Sequence, residues 1–565
     1  MRIYDAISLS AGIAVGEVTF LESVNLDINR KTIDKNEIDA EKRKLKIILK
    51  KIIAELDYYI KELSFSRENR EILQTHKQIL SDESLSSGIN ELIKNDLLSL
   101  EQAIAVWFNN TISKFAMKRM LADRIDDMED IKIRLLTQIL DKKHDDFANI
   151  SSTSIIYAKK LTPSFIIHLF NKKVGGIYLC DGSRTSHATI IARSINLPMI
   201  TGVKDFEEHV ENGQKLIIDS NRGRLILEPD NEMLDNYKRL IREQEEEKEY
   251  LETLIPKETK TKDNKKIKLM SNIEIPEELA QVIANNSDGI GLFRTEFLFM
   301  EADILPTEEE QYEIYKEISE KLYPKTVVIR TIDVGGDKFL KHLDISKEKN
   351  PYLGFRGIRI SLKEPNLFKH QIKAILRANH KGNLQVMFPM ISDVNELRES
   401  KAIIDVCKKE MQDDGISFFN DIKIGAMIEI PSAALTSDTI AKECDFLSIG
   451  TNDLVQYTLA VDRNNVAVHE YYQPAHPAVI KLISLTIKNA QDNNIPVAVC
   501  GELAADKKFI PLLIGLGIKE LSVNSGVYLK VKNQILGINE ESAQKLANIV
   551  KKEENIEIIH DLLKK

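Results

Sequence analysis

Eight short apolar runs follow one another after about residue 260, and a stretch with helical spacing separates each from the next. Runs of this length suit strands, and strands that alternate with helices favour a parallel sheet. Eight such repeats predict a closed (β/α)8 barrel of the TIM type. The runs lie at 267–272, 288–293, 326–331, 384–389, 423–428, 445–450, 496–500 and 519–523.

Polar side chains stand at the ends of these runs. In a barrel the carboxyl ends of all strands meet at one rim, and that rim carries the active site of barrel enzymes. The sequence therefore predicts a single site built from several distant segments. Its candidate residues are Asn272, Arg294, Arg330, Glu429, Asn452, Asp453 and Cys500.

The chain before the barrel divides into three further regions. Short β-branched runs in residues 1–20 and 145–229 predict a compact, swivelling α/β domain. Residues 21–144 show helical spacing and are rich in Lys, Glu, Ile and Leu, which predicts an all-helical insert. Residues 230–259 are polar on every face at their centre and predict a helical linker, the alternative being a surface helix of either neighbour. We expect a multidomain α/β protein whose barrel spans residues 260–565.

In the segment Gly182–Arg193, a Gly-Ser turn leads into a predicted helix. Thr185 and Ser186 are natural N-cap residues, so His187 falls in the first turn, where free backbone N–H groups and the positive end of the macrodipole lie. That position favours a neutral, nucleophilic imidazole and offers donors to an anion, as a phosphoryl acceptor needs. The alternative is a solvated histidine near a helix start.

Charge and cysteine content exclude several classes of protein. The net charge of −9 and the lack of a concentrated Lys/Arg stripe argue against nucleic-acid binding. The mildly acidic balance suits a basic protein partner. Four cysteines without a CxxC pair give no disulfide framework, which fits a reducing cytosol. The sequence shows no signal-peptide pattern and no run of transmembrane length, so we expect a cytoplasmic location.

Seven motifs together resemble enzyme I of the bacterial phosphoenolpyruvate:sugar phosphotransferase system. The resemblance runs from about residue 11 to about residue 525, in the order and spacing of that family. It implies an N-terminal phosphohistidine domain with a helical insert, a helical linker and a phosphoenolpyruvate-binding barrel. The motifs are Gly182–Arg193, Gly289–Met300, Arg330–Lys338, Gly354–Arg359, Met427–Ala433, Ser448–Tyr457 and Val499–Ala504.

Cationic side chains near the strand ends suit a ligand that carries a phosphate and a carboxylate. Arg294, Arg330, Arg356 and Arg463 supply planar, permanently charged donors, and Lys338 adds a point charge. Salt bridges explain any one arginine equally well. The set favours an anion site, because arginines gathered at one rim would repel one another without an anion.

Glu429 and Asp453 are hard oxygen ligands that suit Mg²⁺, with Mn²⁺ as a substitute. The alternative is that each pairs with an arginine. The resemblance implies that these two residues hold the metal. It also implies that Arg294, Arg330, Asn452, Asp453 and Arg463 contact phosphoenolpyruvate.

The resemblance further implies the reaction and the partners. Phosphoenolpyruvate phosphorylates His187, which passes the group to a histidine of the phosphocarrier protein HPr and leaves pyruvate, as the first general step of sugar uptake. Cys500, mostly protonated at neutral pH, would give the enolate its proton. The alternative for this thiol is a small buried hydrophobe. HPr would dock on the insert near Arg124 and Asp127, where Arg124 is otherwise an exposed helix residue. The barrel would form a homodimer.

Two other readings compete with this one. The first is an enzyme like phosphoenolpyruvate synthase or pyruvate phosphate dikinase without its ATP domain. The second is a non-catalytic phosphorelay scaffold. Because His187 and the rim lie in different predicted domains, the enzyme I interpretation requires the His187 domain to move. The linker and a hinge near residue 260 are predicted to allow this motion.

The chain departs from the family pattern at Ser183, Cys180 and Asn524–Tyr528.

Overall fold

A computed structural model describes residues 1–21, 32–62, 67–116, 124–139, 150–159, 161, 163–182, 187–300, 305–334 and 350–564. The chain divides into two compact units, Met1–Glu247 and Lys248–Lys565. The division falls inside the predicted linker. The finer domain boundaries stay a prediction.

The first unit contains an eight-stranded mixed sheet in the order β1-β8-β7-β3-β4-β5-β6-β2. Strands β3 to β6 run parallel, whereas β1, β8 and β7 pair antiparallel at one edge and β2 at the other. The central strands are buried on both faces, which explains their continuous apolar runs. The strands are β1 Arg2–Asp5, β2 Ile7–Ser10, β3 Ile13–Leu21, β4 Ser154–Ala158, β5 Gly176–Leu179, β6 Met199–Thr201, β7 Lys215–Asp219 and β8 Arg224–Leu227.

Between β3 and β4 the chain forms the predicted helical insert. Its helices bury leucine and isoleucine stripes, among them Leu56, Ile89 and Ile104, against one another. The helices are α1 Ile38–Glu62, α2 Arg67–Ser81, α3 Glu83–Asn95, α4 Leu100–Ala116 and α5 Arg124–Ile139. Two short helices, α6 Pro163–Asn171 and α7 His187–Ser194, then cover the sheet.

The predicted linker is a helix, α8, over Asn231–Glu252. Its first turns belong to the α/β core, because Leu234 and Tyr237 are buried against Ile217 and Ile226. The residues from 242 to 250 are all exposed.

The second unit is a closed barrel of eight parallel strands, β9 to β16. Each strand begins and ends within a residue or two of its predicted run. The multidomain α/β fold class, with its helical insert and C-terminal barrel, is therefore confirmed. The strands are β9 Lys268–Ile273, β10 Gly289–Phe293, β11 Thr326–Arg330, β12 Leu384–Phe388, β13 Lys423–Ile428, β14 Phe446–Ile449, β15 Val497–Val499 and β16 Glu520–Asn524.

Helices surround the barrel, and inward side chains fill it. Leu292, Val328, Met387 and Met427 form part of the inner core. The helices are α9 Leu279–Ala284, α10 Phe297–Met300, α11 Glu308–Leu322, α12 Ile358–Lys363, α13 Pro365–Ala378, α14 Val394–Asp413, α15 Pro431–Leu435, α16 Ser437–Ile440, α17 Thr451–Leu459, α18 Pro477–Asp492, α19 Phe509–Leu516, α20 Tyr528–Gly537, α21 Glu540–Val550 and α22 Ile556–Lys564. Among the residues that the structure describes, no helix has the length and hydrophobicity needed to span a bilayer.

Candidate active site

The carboxyl ends of the barrel strands surround a cavity of about 830 Å³. Because the strands are parallel, residues far apart in sequence meet there. The structure thus brings together every rim residue predicted to contact substrate or metal. The cavity is lined by Arg294 (after β10), Arg330 (end of β11), Glu429 (after β13), Asn452 and Asp453 (first turn of α17), Arg463 and Cys500 (after β15).

A cluster of three buried carboxylates lies at the centre of this rim. Asp333, Glu429 and Asp453 each offer an oxygen, and these oxygens lie within 4.8 Å of one another. Glu429 Oε1 accepts a hydrogen bond of 2.6 Å from the backbone N–H of Met390. Burial, reinforced by the charges of Asp333 and Asp453, raises the pKa of Glu429 to about 8. A divalent cation would relieve this accumulation of negative charge.

Gly450 makes room for the Glu429 carboxylate. A Cβ at this position would lie 2.8 Å from Glu429 Oε2, closer than van der Waals contact allows. The glycine in Ser448-Ile449-Gly450-Thr451-Asn452-Asp453 thus has a local steric role. It lets the α17 segment, which carries Asp453, approach Glu429 closely.

Arg294 and Arg330 are already paired with carboxylates of the chain. Arg330 Nη2 lies 2.8 Å from Glu296 Oε1, and Arg330 Nη1 lies 3.0 Å from Asp333 Oδ2. Arg294 forms an ion pair with Glu274. The sequence argument that the rim arginines would repel one another without an anionic ligand is therefore wrong, because nearby acids relieve the repulsion.

Arg356 is held by the acidic cluster itself. Its Nε and Nη2 lie 3.1 Å and 2.9 Å from the two carboxylate oxygens of Asp333, and Nη2 lies 3.1 Å from Asp453 Oδ2. Its Nη1 donates to the hydroxyl of Tyr457 over 3.1 Å. Asp453 therefore pairs with an arginine through Oδ2, while its Oδ1 has no hydrogen-bond partner among the described residues. Through these contacts Arg356 holds Asp333 and Asp453 in position.

Arg463 and Asn452 also line the cavity, and both are partly exposed. Arg463 Nη1 is 3.9 Å from Asp453 Oδ1, and its side chain is 33% exposed. Asn452 Nδ2 donates to Glu502 Oε1 over 3.0 Å, while the N–H of Glu502 donates to Asn452 Oδ1 over 2.9 Å. Of the four rim arginines, Arg463 forms the longest ion pair, so its guanidinium is the most available to an incoming anion.

Several rim atoms lack a hydrogen-bond partner within the described residues. They include the Nε donors of Arg294 and Arg330 and the Oδ1 acceptor of Asp453, all buried. Buried polar atoms are normally satisfied, so atoms like these are suited to contacts with a bound ligand. Two guanidinium donors fit an anion, and a carboxylate oxygen beside Glu429 fits a hard cation. The donor set is thus suited to a divalent metal together with a phosphate or carboxylate.

Cys500 is a buried thiol, 3% exposed, that reaches the cavity from the inner core of the barrel. Ser448 Oγ donates to its sulfur over 3.2 Å. Burial raises the pKa of Cys500, and the Ser448 hydroxyl only partly opposes this. The group therefore carries its proton at neutral pH, as a general acid must.

His187 is the first residue of α7, as the sequence predicts for its backbone. The helix buries Ala188, Ile191 and Ala192 in the core of its unit. The predicted N-caps Thr185 and Ser186, the imidazole of His187 and the side chain of Arg124 lie outside the described part, as does Lys338. In the insert, Asp127 Oδ1 lies 3.1 Å from Nε2 of the buried His76.

Sequence reasoning assigned no role to Glu274, Glu296 or Asp333. Glu296 lies in the motif Gly289–Met300, two residues after Arg294, and Asp333 lies in the motif Arg330–Lys338, three residues after Arg330. Each of the two acids pairs with Arg330. Glu274 directly follows β9. An acid so soon after a strand-end arginine is the signal that was available, and only the fold shows which arginine it serves.

Three family models match the chain. A PEP-utilising enzyme PEP-binding domain matches residues 248–540, a PEP-utilising enzyme mobile domain matches residues 150–223, and a PEP-utilising enzyme N-terminal domain matches residues 5–124. The three matches cover most of the barrel unit, most of the α/β region and most of the insert.

Curated relatives match over nearly the whole chain. A phosphoenolpyruvate-protein phosphotransferase of Priestia megaterium is 40% identical over 94% of this chain and 93% of its own length. The chain belongs to the phosphoenolpyruvate-protein phosphotransferase family. Proteins of the same name from Mycoplasma capricolum and Bacillus subtilis are each 37% identical, over 99% and 96% of this chain and 97% and 96% of their own lengths. The family resemblance seen in the sequence is confirmed, and membership identifies the chain as an enzyme.

Proposed function

We propose that the chain transfers the phosphoryl group of phosphoenolpyruvate to His187 and then to a histidine of HPr, releasing pyruvate. The observation that carries the proposal is the rim cavity. There, arginine donors and a carboxylate oxygen without partners meet a buried thiol. A scaffold without catalysis would have no need for this combination. Family membership supports the same reaction.

Within this proposal Glu429 and Asp453 would hold Mg²⁺, for which Mn²⁺ could substitute. The ion would supply positive charge that offsets the negative charge of the substrate and of the enolate. Arg294 and Arg330 bind the substrate anion through their guanidinium groups, together with Asn452 and Arg463. These contacts fix the phosphorus for in-line attack, which is most of what phosphoryl transfer asks of a protein.

A ring nitrogen of His187 forms a bond to phosphorus, the bond between phosphorus and the bridging oxygen breaks, and its electron pair stays on the enolate. The thiol of Cys500 gives its proton to the methylene carbon, which completes pyruvate. The thiolate left behind recovers a proton from solvent. The Ser448 hydroxyl donates a hydrogen bond to this sulfur over 3.2 Å and keeps that bond through the step.

The second half of the proposal concerns partners. HPr docks on the helical insert near Arg124 and Asp127 and takes the group from His187. The barrel forms a homodimer. These statements rest on the resemblance and on family membership, as does the cytoplasmic location.

Labelling tests the proposal. We expect the protein to take label from phosphoenolpyruvate with Mg²⁺, in an acid-labile and base-stable bond, and to pass it to HPr when HPr is added. His187→Ala should take no label and still bind phosphoenolpyruvate. Label from ATP, or label that persists in His187→Ala, would overturn the proposal.

A further inference from the structure

The end of the linker helix α8 is fastened to the barrel unit. Leu251 and Leu254 are buried there, although the residues from 242 to 250 are exposed. Tyr250 Oη donates to Asn533 Oδ1 of α20 over 3.2 Å. The chain then turns, with the N–H of Lys257 donating to the carbonyl of Leu254 over 3.0 Å.

A buried lysine of α20 meets this turn. Lys532 is 2% exposed, and its Nζ donates to the carbonyl oxygen of Ile255 over 3.1 Å. Burial lowers the pKa of Lys532; the charge of Asp288 opposes this change, and the charge of Lys325 adds to it. A cation beside carbonyls at the C-terminal end of a helix is favourably placed against the helix dipole.

Burying an ammonium costs free energy, which an apolar side chain of the same length would avoid. The ammonium makes this contact directional, which an apolar side chain cannot do. A hydrophobic contact tolerates sliding, whereas a buried donor is satisfied only when one particular acceptor reaches it. Lys532 therefore fixes which carbonyl of the turn lies over α20, and with it the placement of the turn that follows α8.

The segment after the turn is fastened as well. The N–H of Lys262 donates to the carbonyl of Ile538 over 2.7 Å, and the carboxylate of Asp263 accepts from the N–H of Glu540 over 3.0 Å. The hinge predicted near residue 260 falls in this fastened segment.

We propose that Lys532 is a positioning residue for phosphoryl transfer: it orients the root of the linker helix so that the attached His187 domain reaches the rim correctly. The inference rests on the proposed function, because it needs His187 to visit the barrel. Lys532 itself touches neither substrate nor metal, and it acts through the Ile255 carbonyl.

The test compares Lys532→Met, Lys532→Arg and the exposed control Lys552→Met in the full chain. Single-turnover phosphorylation of His187 from saturating phosphoenolpyruvate and Mg²⁺ should be about tenfold slower in Lys532→Met, since small misplacements cost large factors in rate. Equilibrium binding of phosphoenolpyruvate and back-transfer from phosphorylated HPr should stay within about twofold of wild type. Lys532→Arg should recover much of the rate, and Lys552→Met should not change it.

Three outcomes would overturn the inference: an unchanged forward rate in Lys532→Met, a parallel loss of phosphoenolpyruvate affinity, or an equal slowing of back-transfer. If Lys532→Met does not fold, Tyr250→Phe provides a second test, because it removes the exposed hydrogen bond between the end of α8 and Asn533 of α20. A forward rate equal to wild type in Tyr250→Phe would then count against the inference. Wild-type protein that takes no label from phosphoenolpyruvate would instead overturn the proposed function.

Discussion

The two ends of the barrel use the same eight strands, but they handle charge in opposite ways. At the amino ends of the strands, Lys423 pairs with Asp445 over 3.2 Å and Lys268 with Glu520 over 3.5 Å, and all four side chains are partly exposed. At the carboxyl ends, Arg330, Arg356, Asp333 and Asp453 share partners and are nearly buried.

The difference shows how a catalytic end can be recognised from side chains alone. Exposed one-to-one ion pairs add little stability and leave nothing for a ligand to satisfy. A buried network that leaves guanidinium and carboxylate atoms without partners has a free-energy cost that a ligand can recover. Both ends have a cavity, of about 830 Å³ at the carboxyl ends and about 450 Å³ at the amino ends. The charge network distinguishes them.

The largest expected effect comes from Glu429→Gln. This change keeps the shape of the side chain and its hydrogen bond from Met390 but removes a metal ligand. We expect phosphorylation by phosphoenolpyruvate to fall by about a thousandfold or more, because the metal stabilises the transition state by several kcal/mol. Steady-state kinetics with varied Mg²⁺ measures it. Glu520→Gln at the other end is the matched control. If both variants lose activity alike, the contrast between the ends fails.

Cys500→Ala should have the next largest effect. If the thiol is the acid that protonates the enolate, pyruvate formation should slow by about 10²–10⁴-fold, with a much smaller loss of phosphoenolpyruvate affinity. Rapid-quench assays of pyruvate separate the two. Phosphoenolpyruvate with Mg²⁺ should also shield Cys500 from alkylation and leave Cys407 and Cys444 unaffected. A variant that turns over at nearly the wild-type rate would leave Cys500 as a packing residue.

The raised pKa of Glu429 gives a pH-dependent prediction for the metal-free protein. The folded state holds this proton up to about pH 8, whereas the unfolded chain releases it near 4.5. The free energy of unfolding gained from this group is therefore fully present below pH 4.5 and is lost as the pH rises to 8. Glu429→Gln, which cannot ionise, should stabilise the metal-free protein by about 1–3 kcal/mol at pH 8. Denaturant titrations at pH 5 and pH 8 check this.

Two comparisons control that measurement. Saturating Mg²⁺ should stabilise the wild type more at pH 8 than at pH 5 and should leave Glu429→Gln unchanged. A wild type whose stability is flat between the two pH values would mean that Glu429 is ionised in the metal-free rim.

Lys423→Met at the opposite end should change least. An exposed ion pair contributes at most about 1 kcal/mol, and the cavity at this end takes no part in the proposed reaction. We expect phosphoryl transfer at the wild-type rate and a melting temperature within a few degrees of wild type. A clear loss of transfer activity would show that the two ends of the barrel are coupled.

The sequence determined the repeating layout of the barrel and the chemical content of its rim. Strand periodicity is local, so the eight runs place the strands to within a residue or two. The order of the motifs indicates that Arg294, Glu429, Asp453 and Cys500 belong to one site, since parallel strands bring their carboxyl ends together.

Only the tertiary structure decided how those charges are paired. Asp333 lies three residues from Arg330, yet it also binds Arg356 through two bonds, and Arg356 reaches Asp453, 97 residues further on. The role of Lys532 is hidden in the same way, because its acceptor at Ile255 is 277 residues away. Hydrophobic periodicity is a property of neighbouring residues, whereas the partner of a buried charge is set by the path of the whole chain. For this reason the sequence predicts the strands and the reacting groups, and the fold alone shows which of those groups are left free for a ligand.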